Sequence, residues 1–143
     1  PKALQCIDSS TVVVKNYSVN KKYKILLPVN DSQGSDMALE TAINFAKAYK
    51  LEVEIVSVYE GKKSIKGIDR FVEKSINKLN KNSIKNNAKI LEGTPVNSIV
   101  EHAKDDSIII LGVSPKNPFL KYFFGSKPIS IAEKCNCPVL IAK

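Results

Sequence analysis

The residues best suited to chemistry lie in two short loops. The first is Pro28-Val29-Asn30-Asp31-Ser32, which closes a strong apolar run and is dense in turn and cap residues. The second runs from Leu111 through Gly112 and Ser114 to Gly125-Ser126-Lys127. Gly112 ends the unbroken apolar run Ile108-Ile109-Ile110-Leu111. Gly125-Ser126 precedes a segment that reads as a helix, whose free N–H groups and positive dipole end would point back into the loop. Such a place suits an anion, most often a phosphate, with Ser126 donating from its hydroxyl and N–H and Lys127 neutralising charge. The same residues also suit a plainer role, in which Gly112 turns the chain and Ser126 caps the helix.

Positioning these loops requires the elements between them, and the chain alternates strand and helix. Thr11 to Lys15 forms a short β-branched strand, and Tyr23 to Val29 a stronger one. A helix from Ser35 or Asp36 to about Tyr49 carries Ala38, Leu39, Ala42, Ile43, Ala46 and Tyr49 on one face. A strand from Leu51 to Tyr59 follows, then a lysine-rich loop from Gly61 to Gly67 and a helix from Ile68 to about Lys85. A brief strand from Ala88 to Leu91, a helix from Val96 to Lys104, the strand ending at Leu111, a helix near Pro128 to Lys134 and a strand at Val139 to Ala142 complete the pattern. This alternation predicts an α/β fold: a doubly wound parallel sheet of five strands in the order 3-2-1-4-5, helices on both faces, and a short extra strand at the start. In such a sheet ligands sit beyond the carboxyl ends of the strands where the winding reverses. Here that point lies between the strand ending at Val29 and the strand ending at Leu111, which brings the two loops to one crevice.

Composition narrows the classes. With 143 residues and 43% hydrophobic content, one soluble domain is expected. No stretch approaches the roughly 18 consecutive apolar residues of a spanning helix. The net charge is +8, yet every basic residue except Arg70 is lysine, and no aromatic-interleaved basic patch suited to stacking bases is present. Direct nucleic-acid binding is therefore not expected. The lysines of the second helix fall opposite Phe71, Val72, Ile76 and Leu79, as a solvated face would. Three cysteines and a single histidine support neither a disulfide framework nor a metal site, and point to a reducing cytoplasm. Cys135 and Cys137 are expected to be packing residues, and His102, off its helix's apolar stripe, a solvated one.

Several landmarks agree in order. Lys24-Ile25-Leu26-Leu27-Pro28-Val29-Asn30-Asp31-Ser32, Ala38-Leu39 with Ala42, Val58-Tyr59, Glu92-Gly93-Thr94-Pro95 with Ser98-Ile99-Val100, Ile108 to Gly112, Gly125-Ser126 and Cys137 to Ala142 together resemble the universal stress protein family. The resemblance covers about Tyr23 to Lys143. It implies the strand order just given, dimers through the last strand and, in one subgroup, ATP or another adenine nucleotide in the crevice. That subgroup carries a glycine, two residues, a glycine, nine residues, then a glycine followed by Ser or Thr. Gly112, Gly125 and Ser126 match, but the middle position is Pro115, which has no N–H and adds a ring where backbone should approach phosphate. The family's adenine-facing aspartate corresponds to Asn30, with Asp31 one place later, and Val58 matches the position that packs on adenine. These departures bear on ATP in particular; AMP and, less favoured, cyclic di-AMP stand beside it, with magnesium entering only with ATP.

Aligned by their ends, Pro1 to Lys15 resembles Ile129 to Lys143. Residues 1–22 are thus expected to be an extension that could be the end of a preceding copy, ahead of a stress-protein-like domain over residues 23–143, and Thr11 to Lys15 would then lie beside Val139 to Ala142. The start at Pro1 fits a piece of a longer chain, either a tandem protein or a transporter tail. The expected function is a nucleotide-holding regulatory module; the alternative is a ligand-free structural or dimerisation domain. A hydrolase is the weakest class, since there is no P-loop or carboxylate cluster and Asp31 is the one plausible carboxylate near the phosphates.

Overall fold

Three consecutive side chains, Ile25, Leu26 and Leu27, are between 0 and 3% exposed, so the strand that holds them must be covered on both faces. A computed structural model of the chain describes residues 11–13, 17–18, 20–29, 33–59, 65–112, 131 and 133–142. Its strands are β1 (Thr11–Val13), β2 (Lys24–Pro28), β3 (Val53–Tyr59), β4 (Asn86–Glu92), β5 (Ser107–Gly112) and β6 (Val139–Ala142). The helices are α1 (Gln33–Tyr49), α2 (Ile65–Lys81) and α3 (Pro95–His102). The sheet order is β1-β6-β5-β2-β3-β4. Strands β2 through β6 are mutually parallel and take the expected 3-2-1-4-5 order, while β1 runs antiparallel along β6, with Thr11 opposite Ile141 and Val13 opposite Val139.

Alternation along the strands divides the core in two. Ile25, Leu27, Val53, Ile55, Ile108, Ile110 and Leu140 face α1 and α2. Leu26, Val56, Ile109, Leu111, Val139 and Ile141 face Ile99 of α3 and the buried Ile131, Cys135 and Cys137. Ala38, Ala42 and Ala46 keep one side of α1 slim, so its backbone can approach the sheet over β5 and β2. Tyr49, expected on the same buried stripe, is instead 65% exposed. Tyr49 is the final residue of the helix, and its ring lies against Phe45 instead.

The first two helices end alike. Leu51 N–H donates to Ala46 carbonyl at 3.1 Å across Lys50, and Ile84 N–H donates to Leu79 carbonyl at 3.0 Å across Ser83. Lys50 and Ser83 take the left-handed conformation, with φ of 56° and 58°. Each turn drops an apolar residue, Leu51 or Ile84, back against the core, which is the Schellman arrangement. This is why α2 stops at Lys81 rather than running to Lys85; it also starts earlier than expected, at Ile65. Strand β4 is longer than the apolar stretch Ala88 to Leu91, because an edge strand pairing only with β3 can carry exposed polar side chains at its ends.

The lysine face of α2 is partly engaged. Lys74 pairs with Asp36 at 2.8 Å and Lys78 with Glu40 at 2.7 Å, tying α2 to α1. With side chains 42 to 59% exposed, such pairs add on the order of 0–1 kcal/mol each.

Ser83→Gly removes the left-handed strain at a position that needs no side chain, and is expected to stabilise the fold by about 0.5–1 kcal/mol in urea unfolding. Removing residues 1–13 bares the edge of β6, and is expected to convert the protein toward dimers or aggregates in light scattering; a truncated chain that remains as monodisperse as the full one counts against β1 as an edge seal.

Candidate functional site

Adjacent parallel strands β2 and β5 leave the sheet's midline in opposite lateral directions: β2 leads to β3 on one side, β5 to β6 on the other. Their register sets Leu26 opposite Ile109, and carrying it on by two residues puts Pro28 level with Leu111. On the other side Pro28 stands opposite Val56, so Val58 lies just beyond the end of β2. Pro28, Val29, Val58, Leu111 and Gly112 thus come together at the carboxyl end of the central strands, where an open sheet presents its crevice. Of the remaining predicted residues, Asn30, Asp31, Ser32, Ser114, Gly125, Ser126 and Lys127 lie outside the described residues, as does Pro115.

Each described residue has a defined capacity. The Val29 amide donates to Val56 carbonyl at 2.8 Å and so has no hydrogen left for a ligand. Its carbonyl accepts from Ser57 Oγ at 3.3 Å and keeps one lone pair. Val29 is 5% exposed and belongs to the core under α1. Val58 and Leu111 sit on the opposite, α3 side and pack into one cluster, where half-buried Val58 offers an apolar wall of the kind a flat ring can cover. Gly112, half-buried, is the last residue of β5 and pairs with Ala142 of β6.

A second polar centre, which the sequence did not reveal, lies at the other end of the sheet. Glu54 of β3 takes His102 Nε2 on Oε1, while Asn87 Nδ2 donates to its Oε2 at 2.9 Å and Lys24 Nζ stands 3.7 Å from the same oxygen. The side chains of Glu54 and His102 are only 13 and 18% exposed. His102 is therefore not the solvated residue its helical position suggested. The C-terminal turn of α3 packs on β3, and the face turned away from its apolar stripe meets a carboxylate rather than water. Burial pushes the Glu54 carboxyl up, but hydrogen bonds from Asn87 and His102, with the charges of His102 and Lys24, outweigh it and hold the group below its ordinary range.

Cys135 and Cys137 are buried thiols, 2 and 3% exposed, as expected of packing residues. Hydrogen bonding to Cys135 and burial push the Cys137 thiol well above its usual range, which keeps it protonated and unreactive at neutral pH. Among the described residues no group of three or more His, Cys, Asp or Glu could hold a metal ion. No helix among them is long and apolar enough to cross a membrane.

The sequence profile of the universal stress protein family matches residues 23–143. The chain belongs to this family. It is 27% identical to universal stress protein MJ0531 of Methanocaldococcus jannaschii, over 84% of this chain and 81% of the relative. The structure of the hypothetical protein MJ0577 superposes with a TM-score of 0.73 at 26% identity, covering 84% of this chain and 94% of that one. Two universal stress protein structures share the fold at lower identity. One, in complex with cAMP, has a TM-score of 0.69 at 18% identity, over 85% of this chain and 97% of that one. The other, from Archaeoglobus fulgidus in complex with dAMP, has a TM-score of 0.66 at 20% identity, over 85% and 98%.

Glu54→Gln keeps the shape but removes the charge that Asn87, His102 and Lys24 converge on, and is expected to cost about 1–3 kcal/mol at pH 7. Because the folded-state carboxyl is more acidic than the unfolded one, its contribution is complete above about pH 4.5, the ordinary carboxylate value, and fades as pH falls through the folded value. Urea midpoints at pH 7 and pH 3.5 should therefore separate wild type from Glu54→Gln at the first pH and bring them closer at the second.

Proposed function

We propose that the chain is a binding or regulatory module that holds an adenine nucleotide at the crevice between β2 and β5. The observation that carries this is the meeting of Pro28, Val29, Val58, Leu111 and Gly112 at the switch point of the sheet. The retained Gly112, Gly125 and Ser126 of the family's glycine pattern support a phosphate in the same place. The ligands of the two related complexes, cAMP and dAMP, have the matching chemistry of one purine and one phosphate. In this reading the purine lies along Val58 and Leu111, Asn30 and Asp31 read its edge, and Ser32, Ser114, Ser126 and Lys127 hold the phosphate. Pro115 withholds an N–H from a longer phosphate chain, so AMP fits this chain better than ATP, and magnesium would enter only with ATP. The module would work in the cytoplasm, where such nucleotides are abundant.

A second reading, a structural or dimerisation domain without a ligand, is favoured by Pro115 and by the strand paired along β6. In it Thr11–Val13 fill the edge of β6 through which a second copy would otherwise join, the place that the last strand of a neighbouring repeat would take.

Calorimetry with AMP, ATP and cyclic di-AMP, with and without magnesium, separates the two. Binding of AMP tighter than millimolar is expected, weakened about tenfold by Lys127→Ala through loss of one charge-assisted contact. No heat and no thermal shift with any of the three at millimolar concentration would leave the dimerisation domain as the function.

A further inference from the structure

Where the strands begin, at the end of the sheet opposite the crevice, a cleft of about 390 Å³ opens between the connector before β2 and the last turn of α1. Its size falls within the range of small-molecule sites. Two aromatic pairs form its walls. Tyr17 and Tyr23 stack with ring centroids 5.4 Å apart and planes 6° from parallel, and Phe45 meets Tyr49 at 4.7 Å. The Ser18 amide donates to Tyr23 Oη at 2.8 Å, which fixes the connector and with it the Tyr17 ring. Yet Tyr17 and Tyr49 are 55 and 65% exposed, so each presents much of its surface to water inside the cleft lining.

The charge around this cleft has one sign. Lys21, Lys22 and Lys50 line it and no acidic side chain does. Lys21 Nζ is turned to the Asp105 carbonyl at 3.4 Å, while Lys22 and Lys50 make no ion pair among the described residues. Glu52, the carboxylate that feels the charge of Lys22, is itself bridged to Lys85 at 3.1 Å. Leu51 and Ile108 add apolar surface. Aromatic faces suit a ring by stacking, and ammonium groups beside them suit an anion attached to that ring.

We propose that this cleft is a second binding site, separate from the crevice, for a small planar aromatic anion whose ring stacks on Tyr17 and Tyr49 and whose acidic group meets Lys22 and Lys50. The chemistry asks for one or two fused rings bearing a carboxylate, sulfonate or phosphate.

Lys50 makes the test clean, because Lys50→Gly removes the charge while relieving a left-handed backbone, so the variant is expected to fold at least as well as the parent. The full chain, labelled with ¹⁵N, is titrated with 1-naphthyl phosphate and followed by amide chemical shifts. Shifts confined to residues 17–23, 45–51 and 108 are expected, with Lys50→Gly and Tyr49→Ala each weakening binding about fivefold or more, and neutral 1-naphthol binding more weakly than the phosphate. Shifts centred instead on Val29, Val58 and Gly112, no shifts at 10 millimolar on the order of weak-ligand concentrations, unchanged affinity in Lys50→Gly, or equal binding of 1-naphthol would each overturn the assignment.

Discussion

Strand β2 is hydrogen-bonded on both edges and covered on both faces, and the rest of the molecule follows from that double burial. A strand in this position has no solvent side, so Ile25, Leu26 and Leu27 must all be apolar, each worth about 1.5–3 kcal/mol when fully buried. Its backbone groups must all find partners, since each one left unmet in the interior costs about 1–3 kcal/mol. Strand β3 on one edge and β5 on the other meet that demand, which forces the chain to wind first one way and then the other. Where the two windings part lies the switch point at the carboxyl ends of β2 and β5.

Much of this was written plainly in the chain. Ile108 to Leu111 is an apolar run too continuous for a half-exposed strand, and Ala38, Leu39, Ala42, Ile43 and Ala46 repeat at the spacing of one helical face; both took the places they implied. Periodicity says less at the last residue of an element, and so Tyr49 kept the stripe's spacing but lost its cover. The first helix ended at Tyr49 as expected, but the end of α2 was hard to see, because Ser83 occupies a left-handed position for which glycine is the usual signal. His102 was hidden for a different reason. Its partner Glu54 lies 48 residues away in the chain, and no local pattern announces that a strand carboxylate will stand under a helix end. Of the crevice, the strand ends that frame it were legible from burial and turn residues alone; the roles of Asn30, Asp31 and Gly125 to Lys127 rest on spacing and family resemblance, since loops are shaped by what they close around rather than by a repeating pattern.

Charge is distributed with some economy in this basic protein. Glu54 gathers an imidazole, an amide and an ammonium around one carboxylate, Glu52 takes Lys85, and Asp36 and Glu40 take lysines from the neighbouring helix. These four carboxylates tie neighbouring elements together. The two ends of the sheet differ accordingly. The carboxyl ends of β2 and β5 present strand termini and an apolar wall, while the amino ends carry aromatic rings among lysines. Five residues of β2 separate them, about 17 Å of extended backbone.

The ladder between β1 and β6 joins Thr11 to Ile141, positions far apart in the sequence. During synthesis β1 would therefore wait for β6, which follows it only after all the other strands of the sheet. Closing so long a loop costs entropy before any contact is gained, which makes this ladder a natural final event in folding. It would also be the first to fray when either strand is disturbed, so that a change beside β1 is felt at β6.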